Sequence, residues 1–242
     1  MPSRCSLPAL ANAVFGSEYH GLVCLEISAY SWESKHIIVL VKGLLMTYLP
    51  QAQQTPWQQS EGLNLSKTAV LVIDVLGGEG GVVPGLETMA ENAVRIVKAA
   101  REKGLPVVFS NDAHLPGIDK ELELWGEHGI CGSDAAQPLK TFDLQESDYI
   151  IPKRRYNGFF QTDLDLTLRE LGVDTLIAFG CDTNICVLQT LAGAYSLGYK
   201  TVVPADACGT FLIGTQEQGL EYFSRCYDSR VVDTETVLGY LD

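Results

Sequence analysis

Short apolar runs alternate with helical patterns along most of this chain, and this alternation constrains the fold more than any other feature. The first run, residues 69–73, is uninterrupted and ends at Asp74. Continuous apolarity is typical of a strand covered on both faces, as in a parallel sheet. Further strands are predicted at residues 106–110, 149–151, 175–179, 201–203 and 230–232, with helices at 86–100, 162–171, 188–195 and 215–226. Alternating strands and helices predict an α/β fold with helices on both faces of a parallel sheet.

Length and charge limit the class of protein further. The 242 residues suffice for one α/β domain with a buried core. The formal net charge of −13 argues against nucleic acid and against anionic membrane surfaces as partners. No apolar run reaches the roughly 18 residues that span a bilayer. We therefore expect no nucleic-acid partner and no membrane partner.

The seven cysteines indicate the redox compartment. Their number is odd and no pair has C-x-x-C spacing, which argues against a disulfide framework or a zinc ribbon. Such cysteines are typical of a reducing environment, so the sequence predicts a cytoplasmic protein.

Residues 1–64 differ from the rest and are predicted to form an N-terminal extension of uncertain order, with the main domain at residues 65–242. Two strands are predicted in the extension, at residues 21–27 and 37–41, and a polar, glutamine-rich linker follows them. Two interpretations remain open. The extension is either a small element that packs on the main domain or a partner subunit, or a segment without a fold, with Met46 nearer the natural start.

A sharp strand-to-helix turn near Cys186 is the main candidate for chemistry. The predicted strand at residues 175–179 precedes it and the helix at 188–195 follows, so Cys186 lies near a helix N-terminus. Unpaired N–H groups and partial positive charge there make a thiol easier to ionise, and thiolate is the reactive form. The same N–H groups suit an oxyanion.

The segment that contains this turn, Gly-Cys-Asp-Thr-Asn-Ile-Cys-Val at residues 180–187, resembles the nucleophile motif of the isochorismatase-like cysteine hydrolases. That family includes nicotinamidases and amidases of carbamoyl or ureido compounds, and the resemblance extends from about residue 67 to residue 237. It implies a three-layer α/β/α, doubly wound, mostly parallel six-stranded sheet with strand order 3-2-1-4-5-6. Ligands in such sheets bind beyond the carboxyl ends of the strands where this order reverses.

The resemblance also implies catalytic roles. Cys186 would be the nucleophile, Asp74 the base that accepts its proton, and Lys153 the third member. The family pattern after the lysine favours Lys153 over its two arginine neighbours, which cannot readily give up a proton. Backbone N–H groups of Asp182 and Cys186 would form the oxyanion hole, and the peptide bond before Asp182 would be cis.

A second group of residues, Asp112, His114 and His128, predicts one divalent metal ion, Zn²⁺, Fe²⁺ or Mn²⁺, and no organic cofactor. Positions two apart in an extended segment point to one side, so Asp112 and His114 could share an ion. Nicotinamidases resemble this pattern, and their metal holds the pyridine nitrogen, although many contain one more histidine. The alternative is that Asp112 and His114 only shape the pocket while His128 forms hydrogen bonds within its loop.

Three residues are predicted to bind substrate: Trp125 and Tyr156 by aromatic stacking, and Asp182 through its carboxylate. Most relatives have a small or β-branched residue in place of Asp182, so its carboxylate either touches substrate or forms hydrogen bonds within the turn. The Gln and Phe that often follow the family's catalytic aspartate are replaced by Val75 and Leu76, which alters one pocket wall.

The sequence thus predicts an amidohydrolase that cleaves the C–N bond of a small amide through a thioester, with nicotinamide favoured. The alternatives are a hydrolase of another small amide, such as a ureido or carbamoyl compound, and a non-catalytic binding module on the same fold. A redox couple of Cys181 and Cys186 is disfavoured by their spacing. The resemblance further implies a homo-oligomer.

Overall fold

Seven parallel strands form the central sheet in the computed structural model, which describes residues 53–242. They are β1 (Thr68–Ile73), β2 (Val107–Asp112), β3 (Tyr149–Lys153), β4 (Thr175–Cys181), β5 (Lys200–Pro204), β6 (Cys208–Gly209) and β7 (Arg230–Val232). The spatial order is β3-β2-β1-β4-β5-β7, and β6 pairs with the end of β4. The predicted order is confirmed. The two-residue β6 is an addition, because a strand so short has no periodicity to detect.

Six α-helices connect or follow the strands in the described part of the chain. They are α1 (Glu87–Glu102), α2 (Glu121–Trp125), α3 (Leu164–Glu170), α4 (Leu188–Ser196), α5 (Gln216–Cys226) and α6 (Thr234–Leu241). Helix α1 packs against α6, and α4 packs against α5, so these helices form two groups around the sheet. Four of the helices correspond to predicted ones, whereas α2 and α6 were not predicted.

The core explains why the strand patterns were continuous. Every residue of β1, β2 and β4 is buried, so both faces of these strands are covered. Polar residues are found where the strands end: Asp74 directly after β1, Asp112 at the end of β2 and Lys153 at the end of β3. Because the strands are parallel, these ends share one edge of the sheet, and the strand order reverses between β1 and β4 beside them.

The segment at residues 55–62 packs against the region of β7, although the sequence assigns it to the extension before residue 65. Arg230 in β7 donates hydrogen bonds to the carbonyls of Ser60 (2.6 Å) and Gly62 (3.0 Å), and its guanidinium carbon lies 4.0 Å from the centroid of the Trp57 ring. Thr55 donates to the Asp228 carboxylate at 2.6 Å. The described residues before the predicted boundary at residue 65 therefore belong to the same compact unit as the sheet. The strands predicted at 21–27 and 37–41 lie outside the described residues.

Within residues 53–242, the structure contains no helix that is both long and apolar enough to cross a membrane. The five cysteines in the same range are free thiols: Cys131, Cys181, Cys186, Cys208 and Cys226.

Candidate active site

Asp74, Lys153 and Cys186, predicted as catalytic residues, lie together at the carboxyl edge of the sheet. The Lys153 Nζ atom lies 2.6 Å from Asp74 Oδ2 and 3.6 Å from Cys186 Sγ. It also donates a hydrogen bond to Asp112 Oδ1. All four residues are buried, and Lys153 is 1% exposed. Side chains that are far apart in sequence therefore meet in one buried cluster.

The backbone holds Asp74 in place. Asp74 follows β1 with a φ of 49°, in the left-handed region that non-glycine residues seldom occupy. Its N–H donates to the Ser110 carbonyl at 3.1 Å, and its Oδ1 accepts from the Asp112 N–H at 2.8 Å. Because β1 and β2 are neighbours, the last residue of β2 fixes the Asp74 carboxylate through Oδ1, while Oδ2 faces Lys153.

Burial and neighbouring charges give the Asp74 and Asp112 carboxyls different pKa values. Burial, aided by the negative charge of Asp112, raises the pKa of Asp74 to about 6, although Lys153 opposes the shift. Burial alone would also raise the pKa of Asp112, but the charge of Lys153 and its hydrogen bond, together with the nearby His114 ring, outweigh burial and lower that pKa to about 2. Burial disfavours the Lys153 cation, yet Asp74, Cys186 and Asp112 together hold its pKa well above the usual range. At neutral pH the lysine is charged and Asp74 can accept a proton.

Cys186 lies in a π-helical turn, Thr183–Val187, that leads directly into α4. Burial first, and the Asp74 charge second, raise the pKa of its thiol well above the usual range, with Lys153 opposing. The expectation of an easily ionised thiol is therefore wrong for the resting protein. The thiol therefore keeps its proton in the resting protein. The Cys186 sulfur and one carboxylate oxygen each of Asp74 and Asp112 lie within 4.8 Å of one another.

The turn before Cys186 contains the cis peptide bond implied by the family resemblance, between Cys181 and Asp182. The N–H groups of Ile185 and Val187 both donate to the Asp182 carbonyl at 3.1 Å, which closes the turn around the nucleophile. The Cys181 thiol donates to the Asp74 carbonyl at 2.9 Å and so ties the turn to the end of β1.

The Asp182 carboxylate, predicted to bind substrate or to stabilise the turn, is occupied by the protein itself. Oδ1 accepts from the Asn184 N–H (2.8 Å) and the Thr210 hydroxyl (2.9 Å), and Oδ2 accepts from the N–H groups of Phe211 (2.8 Å) and Leu212 (3.0 Å). The residue is buried. These contacts favour the turn interpretation over substrate binding.

The predicted metal residues also meet. His114 Nε2 lies 3.6 Å from Asp112 Oδ1, and the rings of His114 and His128 are 4.8 Å apart. The His114 ring is fully buried, and neither of its nitrogens has a hydrogen-bond partner in the described part of the chain. An unpaired buried imidazole beside a carboxylate fits a metal ligand set.

Sequence reasoning missed Glu121. Its Oε1 lies 3.7 Å from His114 Nε2 and 3.9 Å from His128 Nε2, and it is buried although it belongs to the short helix α2. An acidic residue between the two histidines in sequence was the available signal, but several acids share that loop and none is distinguished by spacing.

The predicted aromatic residues form a pair, since the Trp125 indole N–H donates to the Tyr156 hydroxyl at 2.8 Å. Trp125 is 41% exposed, which leaves part of its ring open to solvent. Arg154 and Arg155 both bind the Asp119 carboxylate, so Lys153 alone of the three consecutive cations reaches the sulfur. The altered wall residue Val75 is buried in the core.

A doubly wound α/β sheet with a buried cysteine, aspartate and lysine at its switch point defines the class of this protein. The isochorismatase domain profile matches residues 68–236, so the chain belongs to the isochorismatase family.

Similar proteins agree with this assignment. The isochorismatase family protein YwoC of Bacillus subtilis is 33% identical over 181 residues, 71% of this chain and 93% of that protein. The ureidoacrylate amidohydrolase RutB of Variovorax paradoxus is 31% identical over 175 residues, 60% of this chain and 69% of that protein. Among solved structures, the N-carbamoylsarcosine amidase of Thermoplasma acidophilum matches with a TM-score of 0.64 and 32% identity, covering 70% of this chain and 97% of that chain.

Proposed function

We propose that this protein hydrolyses the C–N bond of a small amide through a thioester on Cys186. The convergence of the Asp74, Lys153 and Cys186 side chains in one buried cluster carries the proposal. A nucleophile, a proton acceptor and a fixed cation within contact distance are the parts that covalent amide hydrolysis requires.

In the first half-reaction, Cys186 Sγ attacks the amide carbonyl carbon while its proton passes to Asp74. The N–H groups of Asp182 and Cys186 stabilise the oxyanion, and such a donor contributes about 3 kcal/mol in the transition state. When the C–N bond breaks, the leaving nitrogen takes the proton from Asp74, and an acyl thioester remains.

In the second half-reaction, water gives a proton to Asp74 and attacks the thioester carbonyl carbon. The C–S bond breaks, the carboxylic acid leaves, and the proton on Asp74 returns to sulfur. Lys153 remains charged throughout and stabilises whichever of Asp74 and Cys186 is negative. A pKa of about 6 suits Asp74 to accept and return a proton near neutral pH.

Nicotinamide remains the substrate favoured by the Asp112, His114 and His128 cluster and by the Trp125–Tyr156 pair. Ureido and carbamoyl compounds form the second candidate class, because the named relatives act on ureidoacrylate and N-carbamoylsarcosine. Both classes present a small planar amide to the nucleophile, so the proposed bond cleavage is the same.

We also propose that Asp112, His114 and His128, with Glu121 beside them, hold one divalent metal ion, Zn²⁺, Fe²⁺ or Mn²⁺. The unpaired, buried His114 ring supports this proposal. When bound, the ion would supply a Lewis acid for a substrate nitrogen or oxygen. Metal analysis of the purified protein tests the site: His128→Ala should lower the metal content, whereas equal content in both proteins would argue for pocket shaping alone.

Ammonia release from a panel of nicotinamide, ureido and carbamoyl amides tests the enzymatic proposal. Cys186→Ala should abolish release, and Cys226→Ala, which removes an exposed cysteine, should retain it. No release from any amide, with Cys186→Ala behaving like the unaltered protein in every assay, would instead indicate a binding module. The cytoplasmic location, the homo-oligomer and the absence of nucleic-acid and membrane partners stay predictions.

A further inference from the structure

The segment Thr210–Ile213 runs beside the nucleophile turn and exposes three consecutive apolar side chains. Phe211 and Leu212 are each 48% exposed and Ile213 is 58% exposed. The segment continues directly from β6, whose Cys208 and Gly209 pair with Gly180 and Cys181 at the end of β4. Its backbone therefore follows the turn that positions Cys186.

The Asp182 carboxylate joins this segment to the turn. Oδ2 accepts from two successive N–H groups, those of Phe211 and Leu212, at 2.8 and 3.0 Å, and Oδ1 accepts from the Thr210 hydroxyl at 2.9 Å. Asn184 adds hydrogen bonds from its Nδ2 to the Thr210 hydroxyl oxygen (3.0 Å) and the Ile213 carbonyl (2.7 Å). Bonds from N–H groups to a buried carboxylate are among the stronger hydrogen bonds in proteins.

The structure assigns Asp182 as a positioning residue that holds the apolar Thr210–Ile213 segment against the nucleophile turn, where the segment forms one wall for the part of the substrate beyond its amide. A small residue at position 182 would lack these acceptors, and the segment would lose its attachment at Phe211 and Leu212. This specificity role rests on the proposed amide hydrolysis, but the attachment itself does not.

Hydrogen exchange on the full chain without any substrate tests the attachment. Asp182→Ala should raise exchange at the N–H groups of Phe211, Leu212 and Asn184 by about tenfold or more, because each loses a charged acceptor. Asp182→Asn retains an acceptor oxygen for Asn184, so only Phe211 and Leu212 should exchange faster. This selective pattern is not produced by general loss of stability.

Asp233→Ala is the matched control, since the Asp233 carboxylate accepts from the Thr236 N–H at 2.8 Å at the start of α6. It should raise exchange at Thr236 and leave residues 210–213 unchanged. Unaltered exchange at Phe211 and Leu212 in both Asp182 variants would overturn the proposal. If Asp182→Ala fails to fold, Asp182→Asn decides alone.

Kinetics test the specificity role on whichever amide in the panel has the highest kcat/KM. Asp182→Asn should raise KM about fivefold or more, by a larger factor than it lowers kcat, because a wall that contacts non-reacting atoms contributes uniform binding. A loss confined to kcat would overturn the specificity role. Absence of any amide turnover would count against the proposed function, whereas the exchange result would still decide the attachment.

Discussion

At the scale of single residues, one cation determines the protonation of three neighbouring groups that can carry negative charge. In the part of the chain that the structure describes, Lys153 is the only cation in contact with all three of Asp74, Asp112 and Cys186. A single charge cannot stabilise three anions equally in a buried site, so Asp112 remains ionised while Cys186 keeps its proton. Asp74 lies between these extremes, which makes it the group that exchanges a proton during reaction.

The pH dependence of amide hydrolysis should report this balance. Asp74 must be deprotonated to accept the thiol proton, and its pKa is about 6. We expect kcat/KM to fall as pH drops below about 6, by about tenfold per pH unit, because the protonated fraction of Asp74 rises. Initial rates between pH 5 and 8 measure this, with circular dichroism at each pH to exclude unfolding. A kcat/KM that stays flat down to pH 5 would contradict the assignment of Asp74 as the base.

Lys153 should also matter for stability. Lys153→Met leaves the Asp74 and Asp112 carboxyls buried side by side without their cation, and removal of one partner from a buried ion pair costs about 3–5 kcal/mol. Lys98→Met, at an exposed position of α1, should change the free energy of unfolding by less than about 0.5 kcal/mol. Urea denaturation at pH 7 compares the two.

The loss in the free energy of unfolding caused by Lys153→Met should become smaller as pH falls from 7 to 5. Without the lysine, the folded-state pKa values of the two carboxyls rise above their unfolded values, so proton binding favours the folded state. A deficit that grows toward pH 5, or a loss no larger than that of Lys98→Met, would show that the lysine is not needed to balance these charges.

At the scale of secondary-structure elements, the site depends on the close approach of β1 and β4. Gly180, near the end of β4, has a φ of 140°, and a Cβ atom there would lie 1.8 Å from the Ile73 carbonyl oxygen. Only glycine allows the two strands to meet at this point. Asp74 follows β1 directly and the turn that contains Cys186 follows β4, so the approach of these two strands brings the base and the nucleophile to the same edge of the sheet.

Gly180→Ala should therefore destabilise the protein far more than a glycine replacement in open space. We expect the free energy of unfolding to fall by at least about 3 kcal/mol. The new methyl group would clash with the Ile73 carbonyl, and an alanine would also have an unfavourable φ at this position. Gly104 provides the control: its φ is 72°, but no atom lies within 4 Å of the added Cβ. Gly104→Ala should cost about 1 kcal/mol. Thermal unfolding of both variants makes the comparison, and equal losses would show that β1 does not crowd Gly180.

At the scale of the whole molecule, the parts of the fold that could be predicted are those with a local signal. Buried parallel strands are recognisable because β1 and β4 are apolar on both faces, and the helices have periodicity. Strand order came from family resemblance, since no local pattern encodes it. Glu121 and the contacts of Asp182 could not be predicted, because both depend on loops brought together by the fold. The prediction for the Cys186 thiol was wrong because burial raises its pKa and outweighs the effect of the helix N-terminus. Burial of that thiol is not evident in the sequence.

The position at which the compact unit begins was also invisible in the sequence, because residues 53–64 are mostly polar and lack periodicity. In the structure, Trp57 stacks on the guanidinium of Arg230, and the Gln58 side-chain amide donates to the Ser224 carbonyl at 2.7 Å and the Ser229 carbonyl at 3.3 Å. Arg230 is itself buried and depends on the Ser60 and Gly62 carbonyls as acceptors. Removal of this segment would leave a buried guanidinium without its partners, which is costly.

A chain that begins at residue 65 should therefore be less stable than one that begins at residue 53. Without the segment, the buried Arg230 guanidinium loses its Ser60 and Gly62 carbonyl acceptors. A buried donor left without its partner costs about 1–3 kcal/mol. We expect a net loss of about 2 kcal/mol in the free energy of unfolding, measured by urea denaturation of both chains. Trp57→Ala in the longer chain should lose an intermediate amount, since it keeps the bonds of Arg230 to the backbone. Equal stability of the two chains would instead place the start of the folded unit at residue 65, where the sequence alone had placed it.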